Sequence, residues 1–169
     1  SNPLDPQYYN QYIGLDAPLN TLAQDVKFSD GFAYLSADGL RVFNGDSLPD
    51  LSLVGNIATS AQSYGLDVLG RYVFLADGVE GLRIIDVSIP ELPQLIQTYS
   101  ASGSVLDVAV KNNFAYLAHD NGVEVLEISD PGQPLPVAYH ELAETHDIHV
   151  NGNYIYTANT DGYSIIRFN

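Results

Sequence analysis

Cysteine, methionine and tryptophan are all missing from these 169 residues. Without cysteine there are no disulfides, no zinc thiolate sites and no thiol nucleophile. Basic residues are scarce as well: six Lys and Arg face 21 Asp and Glu, for a net charge of -15. A chain so poor in positive charge has no patch to displace counterions from nucleic acid or to hold an anionic membrane surface. No apolar run approaches the roughly 18 residues of a spanning helix, so no membrane insertion is expected. The Gly-x-Ser-x-Gly elbow, the Walker loop and the Gly-x-Gly-x-x-Gly loop are absent, as is the Asn-x-Ser/Thr sequon. No paired carboxylates stand out from the background, which makes glycoside hydrolysis a poor expectation.

Apolar residues make up 46% of the chain, enough for a folded core in one domain of this length. Within that composition one pattern dominates. Asp25-Val-Lys-Phe-Ser-Asp-Gly-Phe-Ala-Tyr-Leu-Ser-Ala-Asp-Gly39 is echoed by Gly65-Leu-Asp-Val-Leu-Gly-Arg-Tyr-Val-Phe-Leu-Ala-Asp-Gly78. It returns as Asp107-Val-Ala-Val-Lys-Asn-Asn-Phe-Ala-Tyr-Leu-Ala-His-Asp120 and as Asp147-Ile-His-Val-Asn-Gly-Asn-Tyr-Ile-Tyr-Thr-Ala-Asn159. The matching aromatics are Tyr34, Phe74, Tyr116 and Tyr156, spaced by 40, 42 and 40 residues. Four copies at one period signal a repeat architecture.

Each copy reads as four short strands rich in β-branched and aromatic residues, with no sustained helical period. The first is of the type 107–110 and the second of the type 114–118. The third is of the type 82–87 or 123–128, and the fourth covers 53–57, 95–99 or 137–140. Asp38-Gly39, Asp77-Gly78, Asn121-Gly122 and Asp161-Gly162 follow second strands and favour the positive φ of tight hairpins. Four-stranded units at this period are propeller blades. The expected fold is all-β: a β-propeller of four four-stranded antiparallel blades at 25–64, 65–106, 107–146 and 147–169.

Leu82-Arg-Ile-Ile-Asp-Val-Ser-Ile-Pro-Glu-Leu-Pro93 and Val123-Glu-Val-Leu-Glu-Ile-Ser-Asp-Pro131 resemble the LVIVD repeat of bacterial and archaeal surface proteins. The likeness covers residues 25–169 and weakens at Val42-Phe-Asn-Gly-Asp-Ser-Leu-Pro49, in the first unit. The resemblance implies an extracellular or cell-surface propeller and carries no catalytic motif.

The fourth unit ends at Ile165-Ile-Arg-Phe-Asn169 with only three strands. Residues 1–24 precede the first unit, and within them Tyr12-Ile-Gly-Leu15 resembles Leu53-Val-Gly-Asn56 of a fourth strand. Residues 8–16 are therefore expected to complete the last blade, because an unpaired sheet edge invites association. Within one chain that strand closes a four-bladed ring. Donated to a neighbour, it links copies of the chain into a homo-oligomer or filament, and an eight-bladed dimer is also open. Tyr8, Tyr9, Tyr12, Ile13 and Leu15 are the candidate interface residues, since tyrosine suits contact surfaces. The alternative for these tyrosines is simple packing of the closing strand. Tyr34, Tyr72, Tyr116, Tyr154 and Tyr156, on second strands, are expected in the core.

Up-and-down topology places the starts of first strands and the ends of second strands at one end of every blade. Asp25, Asp107, Asp147, His119 and His146 gather there as candidate metal ligands. An acidic crown suits Ca²⁺ or another hard cation, and otherwise no cofactor is expected. Gly65 interrupts the Asp series. Strand alternation separates His146 from His149, whereas His119 is expected to approach His146. The competing reading is local: an Asp at a strand start accepts nearby backbone N–H groups and fixes the loop. The functional expectation is a non-catalytic structural or protein-binding module. The alternative is a propeller enzyme or metal-binding protein using His119, His146 and Asp147.

Overall fold

The computed structural model describes residues 22–46, 52–60 and 62–168. Fifteen strands account for its regular structure, and no helix occurs among the described residues. No helix is therefore long and apolar enough to cross a membrane. Blade 1 holds β1 (Asp25–Ser29), β2 (Phe32–Ser36), β3 (Gly39–Asn44) and β4 (Ser52–Ala58). Blade 2 holds β5 (Leu66–Leu69), β6 (Tyr72–Ala76), β7 (Leu82–Asp86) and β8 (Gln94–Tyr99). Blade 3 holds β9 (Val105–Lys111), β10 (Phe114–His119), β11 (Gly122–Glu127) and β12 (Leu135–Glu141). Blade 4 holds β13 (Thr145–Asn151), β14 (Tyr154–Asn159) and β15 (Gly162–Arg167). Each sheet is a meander in chain order, antiparallel throughout. The propeller expected from the repeat is the fold observed. The expected closing strand at 8–16, with Tyr8, Tyr9, Tyr12, Ile13 and Leu15, lies outside the described residues.

Local chemistry explains the meander. Asp30 and Gly31 both take positive φ, at 50° and 83°, as the two-residue turn between β1 and β2 requires. Gly122 opens β11 at φ 132°, and a Cβ there would stand 2.2 Å from the His140 carbonyl oxygen. No other residue fits that approach. A bulge recurs where third and fourth strands pair, between Val42 and Phe43, Ile84 and Ile85, and Val125 and Leu126. Bulges raise the local twist, which lets flat neighbours splay around an axis.

Strand alternation turns each blade into a two-faced apolar slab. Tyr34, Leu40 and Val42 of blade 1 pack on Leu66, Val73, Leu75 and Ile85 of blade 2. Phe74 and Ile84, on the opposite face of blade 2, pack on Val108, Ala115 and Leu117 of blade 3. Tyr116, Ala118 and Val123 then pack on Ile148 and Ile155 of blade 4. Among the described residues the core is three seams, each filled by the forward face of one blade and the backward face of the next. Burial at about 25 cal/mol per Å² of apolar surface makes these seams the main source of stability.

Candidate functional site

The inner strands β1, β5, β9 and β13 border one central cavity of about 830 Å³. Asp25, Asp67, Asp107, His146, Asp147 and His149 line it, as does Lys27. The acidic crown expected from sequence therefore exists in part, and its carboxylates are occupied. Asp25 accepts the N–H of its neighbour Val26 at 2.7 Å through Oδ1. Its Oδ2 accepts the Leu66 N–H of blade 2 at 3.1 Å. Asp107 repeats the link one seam pair later, where the Ile148 N–H of blade 4 donates to Oδ2 at 2.9 Å. These side chains fasten inner strand to inner strand. The expected local role was half of the answer, and the other half is the bond across the seam.

Gly65 has a reason. A Cβ at that position would stand 1.8 Å from Asp107 Oδ1, so no side chain fits. The Gly65 N–H instead bonds the Leu106 carbonyl at 3.0 Å. The missing carboxylate is replaced two residues along by Asp67. Its Oδ1 accepts the Val68 N–H at 2.9 Å and its Oδ2 the Val110 N–H of blade 3 at 2.7 Å. Residues two apart share a strand face, which was the available signal for finding Asp67.

The Asp107 and Asp147 carboxyls adjoin one another at the cavity. Burial, reinforced by the Asp147 carboxyl, pushes the Asp107 carboxyl up to about 7. His146 and His149 both border the cavity. The expectation that alternation separates them fails because His146 is a bulge residue, skipped in the pairing of β13 with β14. His119 is not part of this site. It is buried within blade 3 and stacks on the Tyr139 ring at 5.7 Å. Its Nδ1 accepts the Asn121 N–H at 3.1 Å, and its buried Nε2 has no partner among the described residues. Burial holds its pKa below the usual histidine value, against the pull of Glu124 and Asp120. The expected approach of His119 to His146 is absent because its strand position belongs to a different feature.

That feature is a polar clasp between the second and third strands. In blade 1 Arg41 pairs with Asp38 at 2.7 Å. In blade 2 Arg83 pairs with the buried Asp77, which also accepts from Ser63 at 2.7 Å. In blade 4 Asn159 donates to Ser164 at 2.8 Å. In blade 3 the matching residues are His119 and Glu124. Glu124 accepts from the Tyr99 hydroxyl at 2.7 Å and from Ser102 Oγ at 3.1 Å. Among the described residues, no three His, Asp or Glu side chains converge as a metal site needs.

The second notable region is the boundary between blades 4 and 1. Tyr156 is 39% exposed, whereas its counterparts Tyr34, Phe74 and Tyr116 are 4%, 1% and 3% exposed. Tyr154 is also exposed, so these two tyrosines are not in the core as expected. Across the boundary Val26 is 57% exposed, whereas Leu66, Val108 and Ile148 at the same repeat position are buried. Among the described residues, no apolar cluster joins blade 4 to blade 1. Blade 4 is also the only described sheet with three strands, and β15 has no strand on its outer side among the described residues.

Comparison with known proteins matches the LVIVD repeat at residues 61–101, 102–138 and 143–166. The chain belongs to the LVIVD-repeat family. The match omits the first unit, where sequence reading found the weakest likeness. No curated protein matches this LVIVD-repeat chain. Among solved structures, the computationally designed Ika4 protein is similar with a TM-score of 0.70 at 14% identity. That alignment covers 95% of this chain and 99% of Ika4. The designed Ika8 protein aligns with a TM-score of 0.69 at 15% identity, covering 86% of this chain and 45% of its own. At such identities these likenesses speak to the fold alone.

Proposed function

We propose that this LVIVD-repeat propeller is a non-catalytic structural and protein-interaction module that assembles with copies of itself. The carrying observation is the three-stranded fourth blade, in which β15 has no outer partner among the described residues. An exposed edge is a template for strand addition, where main-chain bonds supply affinity and alternate side chains supply specificity. Residues 8–16 carry the matching pattern, and their Tyr12-Ile-Gly-Leu15 segment repeats the chemistry of β4. The strand completes blade 4, in its own chain or in a neighbour, and repeated donation builds a filament. An extracellular or cell-surface location follows from the surface proteins that the repeat resembles.

An Ile13→Pro variant tests this, because proline removes a ladder donor and disfavours the strand. Light scattering should give particles larger than one chain, falling to the single-chain mass in the variant. Hydrogen exchange should show protected β15 amides that lose protection in the same variant. A single-chain mass for the unaltered protein would remove self-assembly, and unprotected β15 amides would remove strand addition.

The alternative of a catalytic or metal-binding axis draws support from one feature, the adjoining Asp107 and Asp147 carboxyls in a roomy cavity beside His146. Metal analysis of the purified protein and a His146→Ala variant test it. Bound metal that the variant loses would favour this alternative over the structural module.

A further inference from the structure

The open boundary carries a second kind of information besides its three-stranded sheet. Tyr156, Tyr163 and Ile165 are exposed on the forward face of blade 4, the face opposite Ile155 and Ile166. Tyr156 and Ile165 are direct cross-strand partners, as are Ala158 and Tyr163. Val26 and Phe28 are exposed on β1, where they occupy the backward positions that Leu66 and Val68 hold on β5. Tyr156, Tyr163 and Ile165 on a forward face and Val26 and Phe28 on a backward face are thus exposed apolar positions, while Ala33 and Phe43 beside Phe28 are buried. The three closed seams show what covers such faces. Tyr34 meets Leu66, Phe74 meets Val108 and Tyr116 meets Ile148, each within one apolar cluster. The complement of each open half is the other open half.

The geometry points to a second copy of this chain as the occupant: the Tyr156 face of blade 4 in one copy packs on the Val26 face of blade 1 in the next. This continues the series of seams already present and rests on the reading of the protein as self-assembling. The same contact follows from strand donation. Within the chain, the connections from a fourth strand to the next first strand run from Ala58 to Leu66, Tyr99 to Val105 and Glu141 to Thr145. A strand at residues 8–16 stands at a similar short remove from Asp25. A copy that donates this strand to a neighbour's blade 4 thereby sets its own blade 1 against that blade. Two copies that exchange the contact in both directions close a ring of eight sheets by twofold symmetry. The net charge of -15 on each copy opposes the contact, so added salt should favour it.

The lack of cysteine makes the test specific. Val26→Cys and Tyr156→Cys are made separately, at exposed positions that leave the three closed seams intact. The two proteins are mixed and treated with a short bismaleimide cross-linker. Linked dimers should form in the mixture, more at 0.5 M than at about 0.05 M salt. Neither variant alone should give them in quantity, because the contact is head to tail. The proposal is overturned if the mixture gives no linked dimer, whether the double variant links within one chain or not at all. Adding Ile13→Pro to both proteins separates the two readings. Cross-linking that survives it keeps the seam contact and removes strand donation. Loss of β15 protection without loss of cross-linking says the same.

Discussion

The three closed seams and the open one are built from the same repeat positions, yet they differ in what completes them. In the closed seams an aromatic from a second strand reaches an aliphatic on the next first strand, and an inner-strand Asp adds a bond to the next backbone. At the open boundary the aromatic is Tyr156 and the aliphatic is Val26, and neither is covered. Asp147 holds the inner-strand position that Asp25 and Asp107 use, but it adjoins Asp107 in its own half of the ring. Apolar chemistry at a repeat position therefore does not secure burial. Burial comes from the neighbour, and the terminal units have only one each. Repeat proteins in general must resolve this at their ends by capping, closure or association.

The largest effect should separate the two kinds of seam. Phe74→Ala empties the middle of a filled seam and should cost about 3–5 kcal/mol. Tyr156→Ala should cost less than about 1 kcal/mol in dilute protein. Urea denaturation of both variants checks this, and a Tyr156→Ala cost that rises with protein concentration would sharpen the comparison.

Next is the carboxylate that replaces the missing one. Asp67→Ala strands the Val110 N–H and should cost about 1–3 kcal/mol by the same measurement. An equal cost for Asp147→Ala would break the distinction between closed and open boundaries.

A pH-dependent effect should come from the raised Asp107 carboxyl. The folded-state pKa of Asp107 is raised, so between about pH 4 and 7 the folded chain holds more protons than the unfolded one. That contribution makes stability fall as pH rises through this window. Asp107→Asn keeps an oxygen for the Ile148 N–H and removes the charge. Its melting temperature relative to the unaltered protein should rise from about pH 4 to about pH 8. His119 works in the opposite sense, since its lowered pKa costs stability as pH falls below about 6.5. The subtraction of one melting curve from the other isolates Asp107.

The smallest effect should be at the rim. Arg71 is largely exposed and bonds Asp86 at 2.6 Å, and Arg71→Ala should cost no more than about 1 kcal/mol.

Much of the fold could be read from residues alone. The spacing of Tyr34, Phe74, Tyr116 and Tyr156 defines the blades, and the strand limits fall within a residue or two of those read from the pattern. The blades begin slightly earlier than the repeat suggests, because β9 starts at Val105 and β13 at Thr145. Bulges there insert a residue ahead of the Asp. The site was less legible. Asp67 and Glu124 sit at positions held by other residue types in the sister units, so aligning the repeats hides them. His119 looks like a loop residue in the sequence, and only the stacking strand β12 reveals that it is enclosed. The exposure of Tyr156 depends on its neighbour, which the repeat pattern does not describe.

The small defect at Gly65 has a wider consequence. Blade 2 surrenders a side chain where blade 3 inserts Asp107, and it returns the lost carboxylate two steps later at Asp67. The units are consequently not exchangeable beads. Placing the first or the fourth unit in the second position would bring the Cβ of Asp25 or Asp147 against the Asp107 carboxylate, so these near-copies are fitted to their places in the circuit.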